Sequence, residues 1–167
     1  GLLATVDRVP DPEDLPDPTT GRSGVDKFVN FMRFLAPPPR GEITESVKQG
    51  EEVFNRIGCA SCHAVLTTGP SDDPPFDRKP VPLFSDLLLH DIGTGDGIAQ
   101  DGARPNEIRT PPLWGLRVRS PLLHDGRAAS IEDAIRMHGG EAVAVRSEFE
   151  RLAPAERQAL LEFLKSL

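Results

Sequence analysis

Apolar side chains recur at the three- and four-residue spacing of a helix in four segments of this sequence. The first segment begins with a capping-box signature at Ser23, and three consecutive prolines at 37–39 end it. The second segment covers residues 44–57. Its apolar stripe consists of Val47, Gly50, Phe54 and Ile57. The pattern therefore predicts two helices before the first cysteine of the chain.

Two further helices are predicted near the carboxyl end. One begins with a capping signature at Ser130 and is stopped by two consecutive glycines at 139–140. Its apolar stripe consists of Ile131, Ala134, Ile135 and position 138. The last helix begins at Pro154, because proline is favourable in a first helical turn. Strand signals are sparse, and residues 143–146 form the only short candidate, so we expect a mainly α fold.

The remaining segments are predicted to be irregular. Residues 64–120 contain many prolines and a glycine cluster at 93–97, which argues against any long element and favours long loops. Residues 1–22 carry four prolines among acidic residues and are interpreted as an extended arm or linker. A chain of 167 residues has the length of one domain. We therefore expect an arm at 1–22 and a single domain at 23–167.

Two cysteines and a histidine follow the second predicted helix directly, in the order Cys59-Ala60-Ser61-Cys62-His63. This C-x-x-C-H form is the one by which haem is attached covalently to a protein. The two thiols would add across the vinyl groups of one haem, and His63 would bind the iron from the proximal side. A structural zinc site needs four ligands, and a thioredoxin-type dithiol needs a βαβ pattern. Neither pattern is visible, and a plain disulfide would leave His63 unexplained, so one haem c is the favoured cofactor.

Composition restricts the partners and the location. The net charge of −7 disfavours nucleic acid and anionic membranes as partners. No apolar run is long enough to span a membrane. Covalent haem attachment in bacteria takes place outside the cytoplasm, so we expect a periplasmic or secreted protein. The first residues do not have the form of an export signal, which indicates a processed protein or a piece of a larger one.

The second axial ligand of such a haem separates electron transfer from catalysis. On the third predicted helix, His138 continues the buried stripe of Ile131 and Ile135. Met137 is displaced from that stripe by about 100° around the helix axis. We therefore favour His138 as the distal ligand, with Met137 as the alternative. No catalytic residue is assigned.

Other side chains are candidates for the wall of a haem pocket. Leu83, Phe84 and Trp114 would supply apolar surface, with ordinary core packing as the alternative. Six arginines fall in one stretch: Arg104, Arg109, Arg117, Arg119, Arg127 and Arg136. Of these, Arg109 and Arg127 are predicted to bind the haem propionates, because guanidinium pairs with carboxylate through two hydrogen bonds; solvated surface charge is the alternative. His90 and His124 each precede Asp, a pattern typical of a turn with local hydrogen bonds. The alternative for these histidines is a hydrogen bond to a haem propionate or a role in fixing the loop beneath the haem, and of the two His124 is taken as the candidate cofactor-binding residue.

The motifs together resemble a known family. Gly50-x-x-x-Phe54-x-x-x-x-Cys59-x-x-Cys62-His63 resembles the first helix and haem site of class I c-type cytochromes. Four ordered stretches are similar to the C-terminal haem domain of the bacterial dihaem cytochrome c peroxidase and dihaem oxidoreductase (thiol oxidoreductase-like) group. They are FSDLLLHDIG at 84–93, RTPPLWGL at 109–116, SPLLHDGR at 120–127 and SIEDAI at 130–135. With the haem motif they cover most of residues 42–167.

The resemblance implies a cytochrome c-type fold, with helices packed around one covalently bound haem and with long Pro/Gly-rich loops. In the c-type cytochromes the first and last helices cross at a small residue such as Gly50. In the peroxidases the distal ligand is a methionine in the helix after the His-Asp-Gly turn. The matching position here is His138, which suggests bis-histidine ligation and a lower reduction potential than a Met/His pair would have.

The same resemblance leads to two functional hypotheses. The enzymes of this group use two haems, whereas this chain has one attachment motif. We therefore expect an electron-transfer module that relays single electrons to or from a redox protein partner or a covalently linked oxidoreductase domain. The alternative is the electron-relay half of a dihaem peroxidase or oxidoreductase whose other haem domain is absent from this chain.

Overall fold

The computed structural model describes residues 13–167, and the chain divides into two compact units with the boundary between Pro37 and Pro38. In the first unit, helix α1 spans Gly24–Arg33. Its predicted capping box is present: the Ser23 side chain accepts from the Asp26 amide, and the Asp26 carboxylate accepts from the Ser23 amide. None of the side chains of α1 is buried.

The predicted arm at 1–22 lies largely beyond the described residues. Its described part folds into a turn, in which Asp17 accepts hydrogen bonds from the amides of Thr19 and Thr20. Asp17 also pairs with Lys27 of α1 at 2.7 Å, and the Gly24 amide donates to the carbonyl of Glu13 at 2.7 Å. This segment is therefore held against the first helix by local hydrogen bonds, and the boundary predicted at residue 23 stays a prediction.

The second unit, Pro38–Leu167, is mainly α. Its helices are α2 at Glu45–Arg56, α3 at Ile131–Arg136, α4 at Val143–Arg151 and α5 at Pro154–Ser166. Short 3-10 turns occur at Cys59–Ser61, Leu116–Val118 and Gly140–Ala142. The long loop between α2 and α3 contains two antiparallel ladders of two residues per strand: β1 (Leu66–Thr67) with β2 (Pro80–Val81), and β3 (Leu89–His90) with β4 (Ile108–Arg109). In residues 13–167, no helix is both long and apolar enough to cross a membrane.

Helices α2 and α5 cross at a glycine and form the centre of the core. A Cβ atom on Gly50 would lie 2.0 Å from the carbonyl oxygen of Ala159, so no side chain fits at this position. Around the crossing, Phe163 is fully buried and contacts Phe54 and Phe84 with ring centroids 5.2 Å and 5.6 Å apart. The close approach therefore brings the last helix against the helix that precedes the C-x-x-C-H motif.

The strand candidate at 143–146 is wrong, because these residues form the first turn of α4. The alternation Val-Ala-Val resembles a strand pattern, but the helix is selected by burial of Phe149 in the core. The Ser147 hydroxyl also donates to the Val143 carbonyl one turn earlier. Tertiary packing thus overrides the weak local preference of β-branched residues.

Helix α3 is shorter than its sequence pattern predicts. It ends at Arg136, with Met137 as the capping residue, instead of continuing to the glycine pair. The cause is tertiary: the Gly139 amide donates to the carbonyl of Ile92 at 2.7 Å, and the Glu141 amide to the carbonyl of Asp91 at 2.8 Å. The chain after α3 is therefore fastened to the 91–92 loop.

Candidate functional site

The second unit surrounds a cavity of about 540 Å³, which lies in the size range of cofactor pockets, roughly 300–1,000 Å³. Its wall is mostly apolar and includes residues of α2, α3, α4, α5 and the long loop. The apolar side chains are Phe54, Ile92, Ile108, Leu113, Leu116, Leu122, Leu123, Ile131, Ile135, Val145 and Leu164. The C-x-x-C-H motif lies on one side of this cavity.

A sharp turn after α2 carries the motif to the cavity wall. Gly58 has φ +97°, a left-handed conformation that ends the helix, and a Cβ there would lie 3.4 Å from Val145. The 3-10 turn at Cys59–Ser61 follows, and the His63 amide donates to the Cys59 carbonyl at 2.9 Å. As a result Cys59, Cys62 and His63 all line the cavity, so the structure brings the predicted motif residues together.

Both cysteines are free thiols. Burial raises the pKa of the Cys59 thiol to about 12. Burial, followed by the charges of Asp86 and Glu141, raises the pKa of Cys62. A redox-active dithiol needs a lowered thiol pKa, so this environment does not suit thioredoxin-type chemistry. Two reduced thiols at a cavity wall do suit thioether attachment to a cofactor.

The His63 ring is oriented by the backbone. Its Nδ1 lies 3.0 Å from the carbonyl oxygen of Phe84, which can only accept, so Nδ1 carries the proton and Nε2 keeps its lone pair. Burial lowers the pKa of His63, which favours the neutral ring. A neutral imidazole whose other nitrogen donates to a carbonyl is the usual form of a metal-bound histidine.

His138 has the same arrangement. Its Nδ1 lies 2.7 Å from the carbonyl oxygen of Ala134, which leaves Nε2 as the available nitrogen. The His63 and His138 ring centroids are 6.4 Å apart, and the ring planes are inclined by 50°. With metal–imidazole bonds of about 2.0–2.1 Å, two rings on opposite sides of one metal would have centroids about 6 Å apart. The separation of the two ring centroids therefore matches the separation expected for two imidazoles on one metal.

Met137 is placed differently. It is the C-terminal cap of α3, its side chain is 39% exposed, and it does not line the cavity, whereas His138 does. Because α3 ends at Arg136, His138 lies just beyond the helix instead of on its stripe. Its ring still reaches the cavity through the hydrogen bond back to Ala134.

The other predicted pocket residues divide into two groups. Arg109 and His124 line the cavity, with exposed side chains. Leu83, Phe84, Trp114 and Arg127 do not line it.

Each member of the second group has another contact. The Trp114 Nε1–H donates to the Pro82 carbonyl at 2.7 Å, and Arg127 pairs with Asp125 of its own turn. The Leu83 carbonyl accepts from the Leu113 amide at 3.1 Å. The Phe84 ring is buried in the core, while its backbone carbonyl orients His63. Phe84 thus touches the site through its main chain.

The polar residues of the cavity wall that sequence reasoning did not find include Thr94 and Arg146. Arg146 belongs to α4, a segment whose alternating valines are typical of a strand. Thr94 stands inside the glycine cluster, where the sequence indicates only a loop. Neither position carried a signal of its own, because both depend on how distant segments meet.

A charged cluster forms part of the same wall. His90 lies with Nδ1 2.9 Å from Glu141 and Nε2 2.8 Å from Asp86. These hydrogen bonds, first to Glu141 and then to Asp86, raise the pKa of His90. Donor atoms of Cys62, Asp86 and His90 lie within 4.8 Å of one another. Both imidazole nitrogens are already used by carboxylates, so the cluster is an ion-paired support for the loop and not a free set of ligands.

A mainly α domain with a C-x-x-C-H turn and a second histidine on the wall of one apolar cavity is the arrangement typical of a c-type haem protein. Comparison with known families agrees: the model described as "Di-haem oxidoreductase, putative peroxidase" matches residues 6–167. The chain therefore belongs to the di-haem oxidoreductase family, as the sequence motifs predicted. Membership supports haem as the cofactor and redox chemistry as the function.

Individual relatives are distant. The gamma subunit of hydrazine synthase from Kuenenia stuttgartiensis is 27% identical, over 84% of this chain and 47% of that protein. The methylamine utilization protein MauG of Methylophilus methylotrophus is 28% identical, over 87% of this chain and 43% of that protein. A solved structure of the Kuenenia stuttgartiensis hydrazine synthase aligns with a TM-score of 0.52 at 25% identity, over 86% of this chain and 55% of that one. The chain thus spans less than half the length of the hydrazine synthase gamma subunit and of MauG.

Proposed function

We propose that this chain is an electron-transfer cytochrome module with one haem c, attached through Cys59 and Cys62 and six-coordinate between His63 and His138. It relays single electrons to or from a redox protein partner or a linked oxidoreductase domain. The observation that carries the proposal is the pair of imidazoles, 6.4 Å apart across the cavity, each with Nδ1 bonded to a backbone carbonyl.

A bound haem supplies a one-electron couple of its iron. The chain's own residues determine how that couple behaves. His63 and His138 each keep Nδ1 at a backbone carbonyl and leave Nε2 available, so together they would hold the iron of a haem and would leave no open position for a small molecule such as peroxide. The apolar wall excludes water from the ring faces. Two imidazoles, in place of one imidazole and one thioether, favour a low reduction potential.

The propionate end of the cofactor is assigned to the polar part of the wall. Arg109 and His124 line the cavity and are placed to meet a carboxylate near the surface. Arg127, Trp114 and Leu83 act instead through the loops that they hold. We assign to Phe84 the role of fixing the His63 ring through its carbonyl.

Two neighbouring alanine variants test the distal ligand. His138→Ala should convert the ferric haem from low-spin to high-spin, and added imidazole should restore the low-spin spectrum. Met137→Ala, the matched control one residue away, should remain low-spin. Absorption spectra of both oxidation states, with and without carbon monoxide, provide the measurement. A low-spin His138→Ala together with a high-spin Met137→Ala would overturn the assignment.

The length comparison favours a second candidate. Because the chain carries one C-x-x-C-H motif and spans less than half of its relatives, it is also a candidate for the electron-relay half of a dihaem peroxidase or oxidoreductase. The chain alone should then reduce peroxide no faster than free haem does. A longer polypeptide with a second motif should turn over peroxide and lose that activity with His138→Ala. Turnover by the chain alone would contradict both candidates.

The location follows from the attachment chemistry. Since covalent haem attachment in bacteria takes place outside the cytoplasm, we assign the protein to the periplasm or the extracellular space. Fractionation of cells that express the full gene, followed by staining for covalent haem, tests this. Haem-stained protein confined to the cytoplasm would contradict it.

A further inference from the structure

A buried hydroxyl on the cavity wall has no hydrogen-bond partner. Within residues 13–167, the buried side-chain atoms that lack a partner are Arg40 Nε, Thr94 Oγ1, Arg146 Nε and Arg157 Nε. Only Thr94 and Arg146 also line the cavity. Buried polar groups in folded proteins are almost always hydrogen-bonded, so each such atom calls for an acceptor or donor that occupies the cavity.

Thr94 is the stronger of the two candidates. The Arg146 Nε lies 3.9 Å from the Glu150 carboxylate, so its charge already has a neighbour. Thr94 is 2% exposed and has no comparable neighbour for its hydroxyl among the described residues. Because a buried hydroxyl without a partner is costly, its position indicates a bound group that accepts a hydrogen bond.

The backbone around Thr94 is fixed from both sides. Gly93 before it has φ +74°, and its amide donates to the Asp91 carboxylate at 2.9 Å. After it, a Cβ on Gly95 would lie 2.5 Å from the Cα atom of Asn106, so Gly95 packs directly on the backbone of Asn106. The backbone on both sides of Thr94 is therefore held by these contacts, and a β-branched side chain has few rotamers to choose from.

The chemistry of haem restricts what the hydroxyl can meet. The ring faces and edges are apolar, the vinyl groups are used by the cysteines, and the strong acceptors are the two propionate carboxylates. We propose that Thr94 donates its hydroxyl hydrogen to a haem propionate and is thus a cofactor-binding residue. The inference rests on the haem site proposed above. Arg109, Arg119 and Arg146 line the same cavity and supply positive charge for these carboxylates.

Four variants of the holoprotein test the proposal. Thr94→Val removes the hydroxyl at nearly constant volume, and Thr94→Ala removes it without added bulk. Thr94→Ser keeps the hydroxyl. Thr67→Val makes the same change at an exposed threonine of β1, away from the cavity.

The first readout is the resonance Raman band of propionate bending, which responds to hydrogen bonds at the carboxylate. We expect a shift in Thr94→Val and Thr94→Ala and a wild-type band in Thr94→Ser and Thr67→Val. The second readout is the pH dependence of the reduction potential. Because a donor stabilises the ionised carboxylate, its loss should raise the apparent propionate pKa by about one unit.

The outcomes separate this inference from the proposed function. A low-spin spectrum with unchanged Raman band and unchanged pH profile in both hydroxyl-free variants overturns the role of Thr94 and leaves the electron-transfer proposal standing. It would mean that the hydroxyl bonds to water. A wild-type protein that takes up no covalent haem overturns both. If Thr94→Val fails to fold, Thr94→Ala decides between the same outcomes.

Discussion

The two histidines that face each other across the cavity are held by very different parts of the molecule. His63 follows a twelve-residue helix, α2, which is anchored in the core by Gly50 and Phe54. His138 follows a helix of six residues, α3, which buries no side chain completely. His63 is therefore positioned by a local turn that directly follows a helix of the core. The position of His138 depends on contacts between the segment that follows α3, through Gly139 and Glu141, and the distant loop at 91–92.

This difference shows what sets the position of each imidazole. On the His63 side, the cysteines, the histidine and the helix before them are contiguous in the chain, so local structure sets their relative positions. On the His138 side, ring position depends on long-range hydrogen bonds through Gly139 and Glu141.

The largest loss of stability is expected at the crossing of α2 and α5, on the His63 side. In Gly50→Ala the new methyl group would overlap the Ala159 carbonyl, at a distance of 2.0 Å. Overpacking of this kind should lower the free energy of unfolding by about 3 kcal/mol. Urea unfolding of the ferric holoprotein measures it, with Gly69→Ala as the control, since nothing lies within 4 Å of a Cβ there. Equal stability of the two variants would show that α2 and α5 do not cross at Gly50.

A smaller and more local effect is expected on the His138 side. Gly140 has φ +48°, and a Cβ there would lie 2.2 Å from the Asp91 carbonyl. Gly140→Ala should loosen the attachment of this segment, lower stability by about 2 kcal/mol and raise the high-spin fraction, while the haem stays covalently bound. Gly50→Ala should leave the folded spectrum low-spin. If Gly140→Ala were destabilised without any spectral change, the proposed dependence of His138 on the 91–92 loop would be contradicted.

The smallest expected effect is the change of the free energy of unfolding with pH. Hydrogen bonds to Glu141 and Asp86 raise the pKa of His90 above its ordinary value of 6.5, so folding favours the imidazolium. Its stabilising contribution is complete below the unfolded pKa and is lost as the pH rises through the raised folded pKa. The free energy of unfolding should therefore decline above pH 6.5 by about 1 kcal/mol. His90→Gln should flatten this slope, and an unchanged slope in that variant would contradict the ion-pair assignment.

Sequence reasoning succeeded wherever the relevant interactions are short-range. Ser23, Ser130 and Pro154 start helices as predicted, because caps and first-turn prolines act on the next few amides. The family could be recognised because four of its sequence motifs occur in this chain in the same order. The strand predicted at 143–146 was wrong because helix α4 is selected by the burial of Phe149, which local pattern does not encode.

The candidate site shows the same division. The sequence by itself determined that Cys59, Cys62 and His63 lie together, because three thiol and imidazole groups on one turn need no distant partner. Only the tertiary structure decided that the Phe84 carbonyl orients His63, that His138 lies opposite it, and that Thr94 lines the cavity while Trp114 and Arg127 do not. These positions arise from packing between segments far apart in the chain, and the free energy of such contacts depends on the whole fold.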